Sequence, residues 1–142
     1  MATTRTAAAH WEGSLMDGSG EVALQSSGVG SFAVSWPARS EEPGGKTSPE
    51  ELIAAAHSTC YSMALSHALA QAGTPPTSVD TTAEVTFQPG TGITGIVLSV
   101  VGDVPGITAE QFEEAAQGAK TGCPVSQALS AVPISLETSF KG

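Results

Sequence analysis

The segment 48–73, SPEELIAAAHSTCYSMALSHALAQAG, carries helix signals at both ends and no polar face between them. Ser48 is a good N-cap, Pro49 suits the first helical position, and Glu51 would complete a capping box. Gly73 is a natural C-terminal stop. Because apolar side chains point in almost every direction around this helix, it should be buried on most sides. We therefore expect it to be the central helix of the domain or of a dimer.

The remaining segments mostly alternate apolar and polar residues in the manner of β-strands. In the first third, glycines separate the alternating runs, which predicts an antiparallel meander of three strands that include 7–11, 22–24 and 32–36. Residues 37–47 are rich in Pro, Gly and charge and read as a loop. After the central helix we expect strands over 79–88 and 96–100, a helix capped by Thr108, a short helix from Pro124 and a strand over 134–140. The order βββ–α–ββ–α–α–β predicts one α+β domain over residues 1–142.

The charge balance excludes whole classes of partner. Five Lys and Arg residues stand against 14 Asp and Glu residues, a formal net charge of -9. Such a surface repels the phosphates of nucleic acids and of anionic membranes, and no basic patch offsets that repulsion. No run of about 18 apolar residues could span a bilayer, and the N-terminal residues do not resemble a signal peptide. We expect a cytoplasmic protein, in which thiols stay reduced unless they cycle.

Cys60 and Cys123 are the only cysteines in the chain. A cysteine reacts as the thiolate, and Cys60 lies twelve residues past Ser48, too far for the helix dipole to lower its pKa. Burial alone would raise that pKa, so a nearby cation is required. Of the five Lys and Arg residues, elimination leaves Arg39, whose side chain follows the third strand and could lean across the helix.

Glu50 and Glu51 could hold that arginine in a bidentate pair. Glu50 and Cys60 are ten residues apart, and in an ideal helix this is about 15 Å along the axis and about 80° around it. One unbroken helix cannot bring both side chains to one point. If Arg39, Glu50 and Cys60 share a site, we expect the carboxylate and the thiol to come from two subunits of an interlocked dimer.

Cys123 stands just before Pro124, at or beside the N-cap of a short helix. Backbone N–H groups at a helix start lack partners within the helix. That position favours a thiolate and a mobile disulfide partner. Patterning alone leaves a second interpretation open, in which Cys60 and Cys123 are two small, inert core residues, since free cysteine is among the most buried residue types.

Five segments together resemble the OsmC/Ohr family of bacterial organic hydroperoxide reductases, and its OsmC branch more closely. They are AHWEG at 9–13, SPEELIAAAHSTCYSMALS at 48–66, TPPTSVDTTAEV at 74–85, VPGI at 104–107 and GCPVSQAL at 122–129. The resemblance extends over almost the whole chain, and the pairing of the two cysteine motifs is highly specific. It implies an OsmC-like α+β fold with antiparallel sheets around a central buried helix, in an intertwined homodimer.

The resemblance implies a thiol peroxidase whose active sites are shared between subunits. Cys60 matches the peroxidatic position, Cys123 the resolving position, Glu50 the carboxylate and Arg39 the activating arginine. The Cys60 thiolate would attack an organic hydroperoxide and become a sulfenic acid, which Cys123 would condense to an intramolecular disulfide. An external dithiol, such as a lipoylated protein, would reduce that disulfide. No metal, haem or flavin is implied.

Several other side chains are weaker candidates for a role in substrate binding or catalysis. Four apolar residues could shape a substrate pocket, although each is of a type that more often lies in a core: Phe32, Trp36, Tyr61 and Met63. His57 lies one helical turn from Cys60 and could act as a base, but a peroxidatic thiolate needs a cation more than a base. His10 and His67 read as structural, and three scattered histidines make no metal site.

An alternative function is a non-catalytic member of the fold, which uses the thiol pair as a redox sensor or binds a small molecule in the dimer pocket. Arg39 separates the two hypotheses, because a sensor can react slowly whereas a peroxidase needs a thiol of depressed pKa. The hydroperoxide preferred and the electron donor used are open at this point.

Overall fold

The computed structural model describes residues 1–142, which form six strands and four helices. The chain divides into two compact units, Met1–Leu52 and Ile53–Gly142. The elements are β1 (Ala8–Glu12), β2 (Ser19–Ala23), β3 (Ser31–Val34), α1 (Trp36–Ser40), α2 (Pro49–Gln71), β4 (Ser78–Gln88), β5 (Gly92–Asp103), α3 (Ala109–Gly122), α4 (Pro124–Ala128) and β6 (Ile134–Lys141). This confirms the α+β class, while the expectation of one domain stays a prediction.

The first unit contains the predicted meander. Strands β1, β2 and β3 form an antiparallel sheet in chain order, with Trp11 opposite Gly20. A Cβ atom at Gly20 would lie 2.7 Å from the Trp11 ring and 2.5 Å from the carbonyl oxygen of His10. A glycine is therefore required where the indole crosses the neighbouring strand.

Helix α1 corrects the sequence prediction, which placed Trp36 in the third strand and residues 37–47 in a loop. The Ser35 side chain caps this helix by accepting a 3.2 Å hydrogen bond from the N–H of Ala38. Pro37 lies in the first turn, where no N–H is needed. The Pro and Gly residues of the segment 37–47 are typical of a loop, whereas the helix signal is the cap at Ser35.

Helix α2 begins and ends close to the predicted positions. The Ser48 hydroxyl accepts a 3.1 Å hydrogen bond from the N–H of Glu51. The Glu51 carboxylate instead accepts a 2.6 Å bond from the hydroxyl of Thr47, so the reciprocal half of the capping box does not form. At the other end Gly73 has a φ of 83°, a left-handed conformation that suits glycine.

Only one stripe of α2 is buried within the single chain. His57, Tyr61 and Leu65 are fully buried and Leu69 nearly so, whereas the side chain of Met63 is 67% exposed. The predicted burial on most sides is therefore not reached by one chain alone. No helix is both long and apolar enough to cross a membrane.

The second unit contains a mixed sheet rather than a purely antiparallel one. Strand β4 is antiparallel to β5, as predicted, but β6 runs parallel to β5. Helices α3 and α4 lie between β5 and β6 in the chain and supply the crossover that a parallel pair needs. Thr108 caps α3 in a complete capping box with Gln111, as predicted.

Gly102 in β5 should be intolerant of any side chain. A Cβ atom there would lie 2.2 Å from the ring of Phe112, which is fully buried and stacks on Phe140 with ring centroids 5.3 Å apart. We expect Gly102→Ala to lower the free energy of unfolding by about 1–3 kcal/mol, because the trapped ring cannot move aside. Gly95→Ala in the same strand is the control, since its Cβ would meet only a carbonyl oxygen at 3.6 Å. Equal stability of the two variants in urea unfolding would contradict this packing.

Candidate active site

Arg39 and Glu50 form a side-on bidentate ion pair in the first unit. Arg39 lies in the last turn of α1 and Glu50 in the first turn of α2. The guanidinium Nε donates to both carboxylate oxygens at 3.0 and 3.2 Å, and Nη2 donates to Oε2 at 2.8 Å. The Glu50 side chain is only 9% exposed, and that of Arg39 is 30% exposed. The pair that the sequence suggested is therefore formed, and one edge of the guanidinium is fixed by it.

An apolar cavity of about 290 Å³ lies beside Arg39 in the same unit. Strands β1, β2 and β3 contribute aliphatic and indole side chains to it, and Trp36 comes from α1. Arg39 is the only ionisable residue that lines it; the others are Ala9, Trp11, Leu15, Val22, Val34, Ser35, Trp36, Pro49 and Leu52. A cavity of this composition would accept an apolar ligand with one polar group at the arginine.

Cys60 and Cys123 meet in the second unit. Cys60 is half-buried on α2, and Cys123 is fully buried at the junction where α3 ends and α4 begins. Both are free thiols, Cys60 packs against the core cluster that contains Cys123, and each thiol shifts the pKa of the other. The two cysteines that the sequence predicted as a redox pair are therefore in contact.

The two thiols differ in acidity within a single chain. Burial, together with the hydrogen bond and charge of Cys123, raises the pKa of Cys60, and the N–H of Val125 offsets only part of this. Burial also acts on Cys123, but hydrogen bonds from the Ser126 N–H, the Cys60 thiol, the Ser126 hydroxyl and the Val125 N–H outweigh it and lower the pKa of Cys123. Within one chain, Cys123 is therefore the more acidic of the two thiols.

The second unit also contains a buried histidine, His57, in contact with Ser126. The Nε2 atom of His57 lies 2.7 Å from the hydroxyl oxygen of Ser126, and both residues are buried. The Nδ1 atom of His57 is buried without a partner. Burial lowers the pKa of His57, so its ring is neutral. The sequence had pointed to His57 only as a neighbour of Cys60, and Ser126 had not been singled out.

The structure assembles two pairs from the four predicted site residues. Arg39 contacts Glu50, and Cys60 contacts Cys123. Helix α2 is unbroken from Pro49 to Gln71, so ideal helix geometry separates the Cα atoms of Glu50 and Cys60 by about 15 Å along its axis.

The four apolar candidates for a substrate pocket fall into different environments. Trp36 lines the cavity beside Arg39, and Met63 lines a wider groove of about 590 Å³ that also reaches Cys60. Phe32 is exposed and lines neither. Tyr61 is a core residue, and its hydroxyl donates a 2.9 Å hydrogen bond to the carbonyl of Ala116. No group of three or more His, Cys, Asp or Glu side chains is arranged to hold a metal ion.

A model of the OsmC-like protein family matches residues 42–137. Peroxiredoxin OsmC of Escherichia coli (strain K12) is 48% identical over 126 residues, 87% of this chain and 87% of that protein. This chain belongs to the OsmC-like family. The residues matched by the family model span Glu50, Cys60 and Cys123.

Solved structures share the fold of this OsmC-like protein. An organic hydroperoxide resistance protein from Elizabethkingia anophelis is 27% identical, with a TM-score of 0.70 over 99% of this chain and 100% of that one. The organic hydroperoxide resistance protein OhrB of Bacillus subtilis is 22% identical, with a TM-score of 0.71 over 96% of this chain and 98% of that one.

Replacing the neighbouring thiol should make Cys60 more acidic. In Cys123→Ser a hydroxyl that does not ionise takes the place of a thiol, so the negative charge that helps to raise the pKa of Cys60 is lost. The pH at which Cys60 is half-ionised should fall, and alkylation of Cys60 by iodoacetamide at neutral pH should speed up. Ser130→Ala, at an exposed site just after α4, is the control. An unchanged or higher midpoint for Cys60 in Cys123→Ser would contradict this electrostatic account.

Proposed function

We propose that the protein is a thiol-dependent peroxidase that reduces organic hydroperoxides to alcohols through Cys60 and Cys123. The observation that carries the proposal is the contact of the two free thiols, one reachable from solvent and one buried, in an OsmC-like chain. The name of the Escherichia coli relative, Peroxiredoxin OsmC, supports a peroxidase activity. No resident cofactor enters the proposed reaction.

The proposed reaction has two chemical steps. The Cys60 sulfur attacks the terminal oxygen of ROOH, an S–O bond forms as the O–O bond breaks, and the alkoxide takes a proton to leave as ROH. The Cys60 sulfenic acid is then attacked by the Cys123 thiolate, which forms the disulfide and expels hydroxide, released as water after protonation. The lowered pKa of Cys123 suits it to this second attack.

Activation of Cys60 requires a cation, and none is among the groups that shift its pKa. The raised pKa of Cys60 within one chain means that the thiol alone is a poor nucleophile. We propose a homodimer in which Arg39 of the partner subunit, held by its own Glu50, stabilises the Cys60 thiolate and the developing negative charge. The 67% exposure of Met63, on an otherwise apolar helix, supports a partner that covers this side of α2.

The cavity beside Arg39 supports an organic substrate. Its lining is aliphatic and aromatic, so an alkyl or aryl group would gain from leaving water there, whereas hydrogen peroxide has no apolar group to bury. Arg39 at the cavity wall would then lie near the hydroperoxide oxygens.

An external dithiol would complete the cycle by reducing the Cys60–Cys123 disulfide, and a lipoylated protein is one candidate of that chemistry. The cycle suits a reducing compartment, so we propose a cytoplasmic protein. A non-catalytic redox sensor is the second candidate, and the raised pKa of Cys60 in a single chain is the observation that favours it.

The deciding experiment compares consumption of cumene hydroperoxide and hydrogen peroxide, with dihydrolipoamide as the reductant. We expect rapid loss of cumene hydroperoxide, slower loss of hydrogen peroxide, and in Cys60→Ser a fall in rate of at least about 1,000-fold, because the nucleophile is removed. Cys123→Ser is the matched control. It should form the Cys60 sulfenic acid at the wild-type rate or faster, but stop turning over and progress to sulfinic acid.

Two results would count against the proposal. Retention of organic peroxidase activity by Cys60→Ser would mean that the nucleophile is misassigned. Failure of the folded, reduced wild type to consume either peroxide would favour the sensor.

A further inference from the structure

Trp11 presents an aromatic ring that is held in one position although it is not buried. The residue is 40% exposed. Its indole Nε1–H donates a 3.1 Å hydrogen bond to the carbonyl of Gly13. The six-membered part of the ring lies over Gly20 on the neighbouring strand, so closely that a Cβ atom there would approach ring atom Cε3 to 2.7 Å. The ring is therefore restrained at its nitrogen and at its opposite end.

The restrained ring forms one wall of the cavity beside Arg39. Val22 of β2 and Val34 of β3 line the same cavity from the sheet. Gly20 is paired with Trp11 on one side and with Val34 on the other. Because Gly20 has no side chain, the indole can extend across β2 between them. The sheet thus offers the cavity a flat aromatic surface rather than an aliphatic one.

Helix α1 supplies the polar group of this cavity. Trp36 and Arg39 are three residues apart, a spacing that places both side chains on one side of the helix, and both line the cavity. A ligand that placed an aryl group against Trp11 and an oxygen toward Arg39 would use both kinds of surface. Aromatic rings attract one another in offset-stacked or edge-to-face arrangements, beyond the gain from burying their area.

We propose that Trp11 is a specificity-determining residue, which makes the cavity select aryl-alkyl hydroperoxides over saturated hydroperoxides of the same size. This inference rests on the proposed function, because it narrows the substrate class of the same reaction. Trp11 contacts the organic group of the substrate and takes no part in the bond changes at Cys60.

The comparison at equal size isolates the contribution of the ring. An aryl group and its saturated counterpart bury similar apolar areas, so the hydrophobic gain is nearly the same for both. The aromatic pair then favours the aryl ligand by about two- to tenfold. A wall that is already fixed supports this preference, since no side chain has to be ordered when the ligand binds.

A simple packing role for Trp11 predicts different behaviour. If the indole only covered Gly20 and Val34, replacing it with an aliphatic residue would weaken aryl and saturated ligands alike. Leu15 provides the matched control, because it lines the same cavity with an aliphatic side chain and is 55% exposed. Leu15→Ala should lower the affinity for both ligands and leave their ratio unchanged.

The first test measures binding of two inert alcohols, 2-phenyl-2-propanol and 2-cyclohexyl-2-propanol, by intrinsic fluorescence. The two tryptophans of the chain both line the cavity, so their emission reports on its occupancy, and Trp36 remains as the reporter when Trp11 is replaced. We expect wild type to bind the phenyl compound about two- to tenfold more tightly. The ratio should fall to about one in Trp11→Leu and stay above one in Trp11→Phe, which keeps an aromatic ring.

The second test measures turnover of cumene hydroperoxide and of its ring-saturated counterpart. Trp11→Leu should raise the KM for cumene hydroperoxide by the same factor as it weakens phenyl binding, with little change in kcat, because ground-state and transition-state binding are lost together. Turnover of hydrogen peroxide, which has no organic group, should be unchanged. Equal affinity of wild type for the two alcohols, or a wild-type ratio retained in folded Trp11→Leu, would overturn the proposal.

The binding measurement does not depend on peroxidase activity. If wild type ignored hydroperoxides but preferred the phenyl alcohol, and Trp11→Leu lost that preference, the role of Trp11 would stand and the proposed peroxidase would fail. If wild type were an active peroxidase and Trp11→Leu changed neither ratio, only the role of Trp11 would be refuted.

Discussion

The packing of α2 against α3 decides where both sulfur atoms lie. Tyr61 is fully buried, and its hydroxyl donates to the carbonyl of Ala116 in α3, while Leu65 joins the same core cluster as Phe112. Cys60 is the residue before Tyr61, and Cys123 caps the end of α3. Because this core fixes the spacing of the two helices, the thiols approach each other without being bonded. The proximity of the two thiols is thus a consequence of ordinary hydrophobic packing and one buried hydrogen bond.

Helix α2 carries both Cys60 and Glu50, but the two residues lie at different positions along it. Glu50 lies in the first turn of α2 and binds Arg39, whereas Cys60 lies ten residues further along an unbroken helix. Within a single chain the pKa of Cys60 is raised, the pKa of Cys123 is lowered, and Arg39 is paired with Glu50. In the proposed mechanism the cation beside Cys60 is Arg39 of the partner subunit. That subunit also covers the apolar side of α2.

The sequence predicted most of the fold because its signals are local. The caps at Ser48 and Thr108 are short-range hydrogen bonds, and the alternation along β4 reports directly on one half-buried face. The parallel pairing of β5 with β6 could not be predicted in the same way, since strand direction depends on the crossover between them. Helix α1 was not predicted because the alternation of Phe32, Val34 and Trp36 runs straight through its cap at Ser35, and the Pro and Gly residues that follow indicated a loop.

The candidate site was predictable only in part. Arg39 emerged by elimination from five cations, and the structure pairs it with Glu50 as anticipated. The order of acidity of the two thiols was not predictable, because it depends on the burial and the surroundings of each sulfur in the folded chain. Ser126 could have been noticed three residues after Cys123, where a side chain at a helix start can reach back to the cap. Its contact with His57, 69 residues away in the chain, could not have been predicted from the sequence.

The central claim, a site completed by two subunits, is tested most directly by mixing two inactive variants. Arg39→Met retains its thiol and Cys60→Ser retains its arginine, so a mixed dimer would contain one intact site if the residues come from different subunits. After co-refolding of equal amounts, we expect about a quarter of wild-type cumene hydroperoxide turnover, because half of the dimers are mixed and each has one working site of two. Turnover no higher than that of the separate variants, in a sample shown to contain mixed dimers, would contradict the shared site.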